Sequence, residues 1–159
     1  MKKYISLLFL LVFSAFVLSC NKEEDPEPEN NIDHVGEKWN IVSVEYSMIN
    51  QNLTNPSQLV QTGTATNAGA FYFNSGKGSF DVTINTTNKQ DYFSYTENGS
   101  DVSVTSISQN VGGSNFSQNV IALSGQKTSS TTMTLDGTIT QQSMTGQFSL
   151  TATFTLQKN

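Results

Sequence analysis

Residues 148–156 read FSLTATFTL. Apolar side chains occupy every even position of this segment, from Phe148 to Leu156, and hydroxyl-bearing side chains occupy every odd position. A period of two places these two sets on opposite faces of a β-strand. Such a strand covers a core with one face and meets water with the other, as strands of antiparallel sheets do. The segment therefore predicts an antiparallel sheet with one apolar face.

The same alternation recurs along the chain between turn signals. Val102 and Val104 alternate with polar residues, and the Asn-Gly pair at residues 98–99 supplies the positive φ angles of a tight hairpin. Eight strands are predicted, at residues 37–48, 69–74, 79–85, 90–97, 101–108, 118–126, 130–138 and 145–157. Short connections make sequential strands neighbours in space, which is a meander. The first connection, residues 49–68, is long, and we expect it to lie across one end of the domain as a lid.

Eight meandering strands with one apolar face have two stable arrangements. The sheet closes into a barrel, which removes both free edges, or it folds over into a sandwich. We predict an all-β domain at residues 35–159, a single antiparallel eight-stranded up-and-down β-barrel, with a β-sandwich as the alternative. The interior of an eight-stranded barrel either fills with side chains or holds one small ligand.

Aromatic side chains would converge inside such a barrel, and we expect Trp39 to plug its closed end. If the barrel is hollow, these side chains line a binding site for a small ligand. If it is solid, they fill the core. The sequence leaves both interpretations open. The candidate ligand-contacting residues are Trp39, Tyr46, Phe71, Phe73, Phe80, Phe93, Tyr95 and Phe148.

The composition excludes several classes of function. The chain has 13 acidic and 8 basic residues, a net charge of −5 and no Arg, which argues against the basic face that nucleic acids require. One Cys and one His do not make a disulfide framework or an ordinary zinc site. We therefore expect no nucleic-acid partner, no metal and no cofactor.

The N-terminal residues carry an export signal. A positive stretch at residues 1–3 precedes an apolar run at residues 4–18, which is too short for a comfortable bilayer span. The run ends in Val-Leu-Ser-Cys at residues 17–20, which resembles the lipobox of bacterial lipoproteins. The resemblance implies that residues 1–19 are a signal peptide and that Cys20 becomes the lipidated N-terminus. Several acyl chains on Cys20 would anchor the protein stably in a membrane.

Residues 20–34 read as an acidic, disordered tether, because they contain two Pro and almost nothing apolar to bury. Within the tether, Lys-Glu-Glu-Asp at residues 22–25 resembles the surface-export signal of lipoproteins in one large group of Gram-negative bacteria. It implies an outer-membrane lipoprotein that is exposed on the cell surface. His34 ends the tether, and we expect it to lie away from the core without a catalytic or metal-binding role.

Three segments suggest a family for the domain. Residues 36–46 read GEKWNIVSVEY, residues 71–78 read FYFNSGKG and residues 92–100 read YFSYTENGS. Together they are similar to bacterial lipocalin-like lipoproteins, in which a Gly precedes a Trp at the start of the first strand. The spacing here is Gly-x-x-Trp, no Arg can pack over that Trp, and no helical pattern follows the last strand. The resemblance implies a lipocalin-like barrel that binds a small apolar or amphipathic molecule.

Two other functions stay open beside ligand binding. A barrel with a filled core would serve as a non-catalytic interaction protein that presents its Ser/Thr/Asn-rich face to a glycan or a protein. A hydrolase would need two carboxylates, and Asp91 and Glu97 are the best pair because they share strand parity with Phe93 and Tyr95. We favour solvent-exposed positions for both carboxylates and expect that the protein is not an enzyme.

Overall fold

The computed structural model describes residues 32–52, 58–107, 118–142 and 146–158. In these ranges the chain forms β-strands, and no helix is long and apolar enough to cross a membrane. The predicted signal peptide, Cys20 and the predicted tether up to residue 31 lie outside the described residues. The strands are β1 (Glu37–Asn52), β2 (Gln58–Thr66), β3 (Gly69–Asn74), β4 (Lys77–Ile84), β5 (Thr87–Asn98), β6 (Asp101–Ser106), β7 (Gln118–Lys127), β8 (Thr132–Gln142) and β9 (Gly146–Lys158).

The sheet closes on itself because β1 has neighbours on both sides. One side of β1 pairs with β9, and the other side pairs first with β3 and then, farther along, with β2. From β3 to β9, each strand pairs antiparallel with the next one along the chain. Strands β1 and β3 to β9 therefore form a closed eight-stranded up-and-down barrel. The predicted fold is confirmed, and closure through β1 and β9 excludes the sandwich.

The extra strand, β2, occupies the segment that we expected to be a lid, so that prediction is wrong. β1 continues to Asn52, and β2 returns beside it, with residues 53–57 outside the described part. β2 and β3 lie end to end along β1, and Asn67, with a φ of 53°, interrupts them beside a bulge at Val42. The sequence of β2, QLVQTGTAT, has one large apolar residue on each face, Leu59 and Val60, and otherwise only small or polar residues. The strand therefore shows no alternation of apolar and polar residues in its sequence.

A cluster of aromatic rings fills the barrel interior near the start of β1. Phe71 is fully buried, and its ring centroid lies 5.3 to 5.9 Å from those of Phe80, Phe93 and Phe154. Phe73 joins the cluster at 5.3 Å from Phe93. These separations fall in the range where edge-to-face and offset rings attract one another. This half of the interior is a packed core.

Trp39 closes this end of the barrel, as predicted. Its side chain is 2% exposed, and its indole N–H donates a hydrogen bond to Glu37 Oε2 at 2.9 Å. Glu37 forms an ion pair with Lys158, and these two donors lower the pKa of the Glu37 carboxyl below its ordinary value of 4.5. Lys127 Nζ lies 5.8 Å above the Trp39 ring and pairs with Glu97 at 2.8 Å. Ion pairs thus cover the indole on its solvent side.

His34 lies outside the buried core, as expected, but it packs on the outer face of the barrel. Its ring stacks on Tyr72 with centroids 4.5 Å apart, and its Nδ1 lies 2.9 Å from Ser79 Oγ. The backbone N–H of Asp33 donates to the hydroxyl of Tyr92 at 3.2 Å. Tyr72, Ser79 and Tyr92 are register partners on three adjacent strands. The segment before β1 therefore lies across these strands and buries Ser79.

The tight contact between β7 and β8 gives a test of the packing. A Cβ on Gly125 would lie 1.8 Å from the backbone oxygen of Thr134, although Gly125 has no positive φ. We expect Gly125→Ala to lower the free energy of unfolding by about 3 kcal/mol, at the upper end of overpacking costs. The control, Gly99→Ala, has a φ of +63° and open space around its Cβ, so it should cost only about 1 kcal/mol. Urea unfolding measures both, and equal costs would contradict the β7–β8 contact.

Candidate functional site

Five side chains meet near the end of the barrel opposite Trp39, and we call them the Lys89 cluster: Lys89 and Asp91 on β5, Asn119 on β7, Gln141 on β8 and Phe148 on β9. On β5, the cluster continues the inward-facing set that includes Phe93, because residues two apart share a face. β5 and β8 are not neighbours in the sheet. Side chains that join them therefore reach across the barrel interior.

Lys89 is the charged centre of this cluster. Its Nζ donates to Gln141 Oε1 at 2.5 Å and lies 4.6 Å from the centre of the Phe148 ring. No carboxylate of the described residues forms an ion pair with it. Burial lowers the pKa of the Lys89 ammonium from its ordinary value of 10.5, because partial removal from water disfavours the charged form. An ammonium group has three donors, and the described contacts use one for a hydrogen bond.

Asp91 and Asn119 form the second half of the cluster. Asn119 Nδ2 donates to Asp91 Oδ2 at 2.5 Å, and Asp91 Oδ1 accepts from the backbone N–H of Tyr92 at 2.7 Å. The carboxylate of Asp91 is thus engaged with amide donors. Asn119 Oδ1 is buried, and it has no hydrogen-bond partner in the part of the chain that the structure describes. A buried acceptor without a donor is costly, so the cluster is incomplete as it stands.

Among the described residues, the strand pairing of the barrel is incomplete beside this cluster. β6 ends at Ser106, which is the register partner of Phe93, so residues 87–92 of β5 pair only with β4. Residues 118–121 of β7 likewise pair only with β8. The Asp91–Asn119 hydrogen bond bridges the two strands at this level. Residues 108–117, between β6 and β7 in the sequence, lie outside the described residues.

Below Lys89 the interior is apolar. Phe148 is 7% exposed and is the register partner of Gln141. The next inward pair on these two strands, Leu150 and Ile139, is fully buried. The cluster therefore sets a cation and an unpaired acceptor directly over hydrocarbon. A site of this composition suits a molecule with a polar head and an apolar body.

All eight aromatic residues proposed from sequence belong to one hydrophobic core or pack against it. Six of them join in ring-ring contacts: Trp39, Phe71, Phe73, Phe80, Phe93 and Tyr95. The other two, Tyr46 and Phe148, have polar partners instead. The Tyr46 hydroxyl accepts a hydrogen bond from Asn85 Nδ2 at 3.2 Å, and Phe148 lies under Lys89. Contact of these eight residues with a ligand stays a prediction.

The carboxylates considered for catalysis do not come together. Glu97 pairs with Lys127 beside Trp39, whereas Asp91 pairs with Asn119 in the Lys89 cluster. Six residues of an extended strand separate them by about 20 Å, which exceeds the spacing of any glycosidase pair. Within the described ranges, no three His, Cys, Asp or Glu side chains are grouped so as to hold a metal ion.

The outer face of the barrel carries a shallow groove of about 530 Å³, whose lining includes hydroxyl groups and carboxylates. Glu45, Thr153 and Asp136 form a row across β1, β9 and β8, and Thr153 Oγ1 donates to Asp136 Oδ1 at 2.6 Å. Thr64 on β2 extends the row. The groove offers hydroxyl groups and carboxylates, which are partners for the hydroxyl groups of a polyol.

Comparison with known protein families, with curated proteins and with solved structures finds no match to this chain. The architecture is nonetheless that of an eight-stranded antiparallel barrel and is consistent with a lipocalin-like fold. Function must therefore be argued from the site itself.

Sequence reasoning missed Lys89, Asn119 and Gln141. The alternation of strand faces could have found Lys89. It lies two residues before Asp91 and therefore on the same face of the strand, which we had considered as inward-facing. Long polar side chains at inward-facing positions mark the point where a strand leaves the packed core. Which of them meet across the barrel depends on how far each strand is shifted along the barrel axis, and the sequence does not show that shift.

The lowered pKa of Lys89 makes a prediction about stability and pH. Between the folded-state pKa and 10.5, the unfolded chain binds more protons at this site than the folded chain does. The burial penalty is therefore fully present at neutral pH, and stability rises with pH through that window. Relative to the parent, Lys89→Met should gain most at pH 7 and lose this advantage towards pH 10.5. Urea unfolding across this range measures it, with exposed Lys77→Met as the control. A pH-independent difference for Lys89→Met would refute the prediction.

Proposed function

We propose that this chain is a non-catalytic outer-membrane lipoprotein of a Gram-negative bacterium, exposed on the cell surface, whose lipocalin-like barrel binds a small amphipathic molecule at the Lys89 cluster. One observation carries the proposal. A half-buried ammonium without a carboxylate partner among the described residues lies over the Phe148 ring, at the end of the barrel opposite Trp39. Burying an unpaired charge costs free energy, so proteins rarely do it outside functional sites.

The packed half of the barrel limits where a ligand can bind. The rings around Phe71 and the cover over Trp39 leave the aromatic half occupied by side chains. We place the ligand at the other end, against the Lys89 cluster, where Lys89 lies over the Phe148 ring. This placement suits a small or slender molecule and gives the ligand a polar head near the rim.

The location of the protein rests on its N-terminal residues. A positive start, an apolar run and a Cys in the lipobox position support lipidation of Cys20. The acidic residues that follow support export to the surface. On the surface, the tether would hold the barrel away from the lipid headgroups, where it meets molecules from outside the cell.

A second candidate is a surface interaction protein, and the outer groove favours it. Glu45, Asp136 and the intervening Thr153 offer hydrogen bonds to a glycan or to a polar protein surface. This candidate ranks second because hydroxyl and carboxylate groups are what any solvated strand exposes. The hydrolase alternative has lost its best carboxylate pair and is not proposed.

The anchor is tested by Cys20→Ala in the native host. The wild-type protein should sediment with the membrane fraction and carry acyl chains detectable by mass spectrometry. Cys20→Ala should leave the membrane fraction, because the chain would lose the only thiol available for lipidation. Ser19→Ala serves as the matched control and should stay membrane-bound. Membrane association of Cys20→Ala would contradict the proposal.

The binding function is tested by native mass spectrometry of the protein purified from its host in a non-exchanging detergent. We expect an extra mass that corresponds to a bound amphiphile, absent or strongly reduced in Phe148→Ala. Phe80→Leu, in the packed half, should retain the extra mass. A protein that carries no molecule, and that takes up none from a total lipid extract, would overturn the proposed function.

A further inference from the structure

The head group that the Lys89 cluster would select follows from one buried acceptor without a partner among the described residues, Asn119 Oδ1, and from the spare donor capacity of Lys89 Nζ. This inference rests on the proposed binding function and narrows the ligand to a chemical class. Lys89 Nζ keeps donor capacity, and Asn119 Oδ1 lacks a donor within the described residues. Gln141 connects them, because it accepts from Lys89 and is the register partner of Asn119.

We propose that the cluster binds an amphiphile whose head combines a carboxylate with a neighbouring hydroxyl group. The carboxylate would accept from Lys89, and the hydroxyl would donate to Asn119 Oδ1. The alkyl chain would leave the head towards Phe148.

Asp91 limits the charge of the head group that the cluster can bind. Its two oxygens accept from Asn119 Nδ2 and from the backbone N–H of Tyr92, so the ligand does not need to satisfy them. Its negative charge stays close, however, and disfavours a head group with two or more negative charges. A phosphate monoester is therefore a poorer fit than a single carboxylate.

The charge balance of the site supports an anion over a neutral or cationic head. Lys89 lies over an aromatic face and beside a neutral amide, so an incoming carboxylate meets a partly desolvated ammonium. Charge-assisted hydrogen bonds in such surroundings are stronger than neutral ones. A cationic head would be repelled by the positive charge of Lys89, and an alcohol could not form the ion pair.

The test uses the mature chain, residues 20–159, with Cys20→Ser so that no detergent is needed. Binding of 3-hydroxydodecanoate, dodecanoate and dodecanol is measured by calorimetry at pH 7, below the micelle concentrations of the two acids and below the solubility limit of dodecanol. We expect dodecanoate to bind about tenfold more tightly than dodecanol, because it gains a charged hydrogen bond. The hydroxy acid should bind about threefold more tightly again, because it gains a neutral one.

Two variants locate these preferences. Lys89→Met should abolish the preference for acids over dodecanol, whereas Lys77→Met, at an exposed turn, should leave it unchanged. Asn119→Ala should abolish only the preference for the hydroxy acid over dodecanoate. Circular dichroism confirms that each variant is folded before binding is measured.

The outcomes separate this inference from the proposed function. Dodecanol binding as tightly as both acids, or an acid preference that survives Lys89→Met, would overturn the head-group assignment and leave amphiphile binding standing. A hydroxy acid that gains nothing over dodecanoate would remove the role of Asn119. If none of the three compounds binds and the native protein carries no molecule, the proposed function itself fails.

Discussion

The pairing of β1 with β9 is the constraint on which the rest of the structure depends. β1 is long enough to meet β9 along one side and both β3 and β2 along the other. This double use converts a meander, which would have two free edges, into a closed barrel. Closure gathers the apolar faces of eight strands around one axis, so that Phe71 contacts rings from β4, β5 and β9 at once. The bulge at Val42 allows β1 to follow the curvature that closure demands.

Closure also explains why the two halves of the interior differ. Near Trp39 all the strands of the barrel are present and large rings meet at its axis, so the space is filled. Towards the other end, the described part of β6 ends at Ser106, and beyond it the Asp91–Asn119 hydrogen bond joins β5 to β7. In the described part of the chain, inward positions at this level carry polar side chains such as Lys89. The candidate site thus lies where the described pairing of β6 with its neighbours ends.

Much of this architecture could be predicted from the sequence, and the limits have physical causes. Alternation at residues 148–156 and the Asn-Gly turn at residues 98–99 predicted strands and hairpins because periodicity and turn chemistry are local. The strand β2 escaped because its Thr, Gly and Ala residues give no hydrophobic contrast. The role of His34 escaped because Tyr72 and Ser79 become its partners only after β3 and β4 pair. The Lys89 cluster escaped for the same reason, since Gln141 lies 52 positions from Lys89 and meets it only across a closed barrel.

The most direct test of this account is an intramolecular disulfide between β1 and β9. Glu45 and Thr153 are register partners on the outer face, the first exposed and the second half-buried, so their Cα atoms should lie about 4.5 to 5.5 Å apart, within reach of a disulfide. In a Cys20→Ser background, Glu45→Cys with Thr153→Cys should oxidise to a cross-linked monomer as completely as Asp136→Cys with Thr153→Cys, a pair within the β8–β9 hairpin. A pair two strands apart, Glu45→Cys with Asp136→Cys, should remain reduced. If the β1–β9 pair stays reduced while the hairpin pair oxidises, the sheet is open and the closed barrel is refuted.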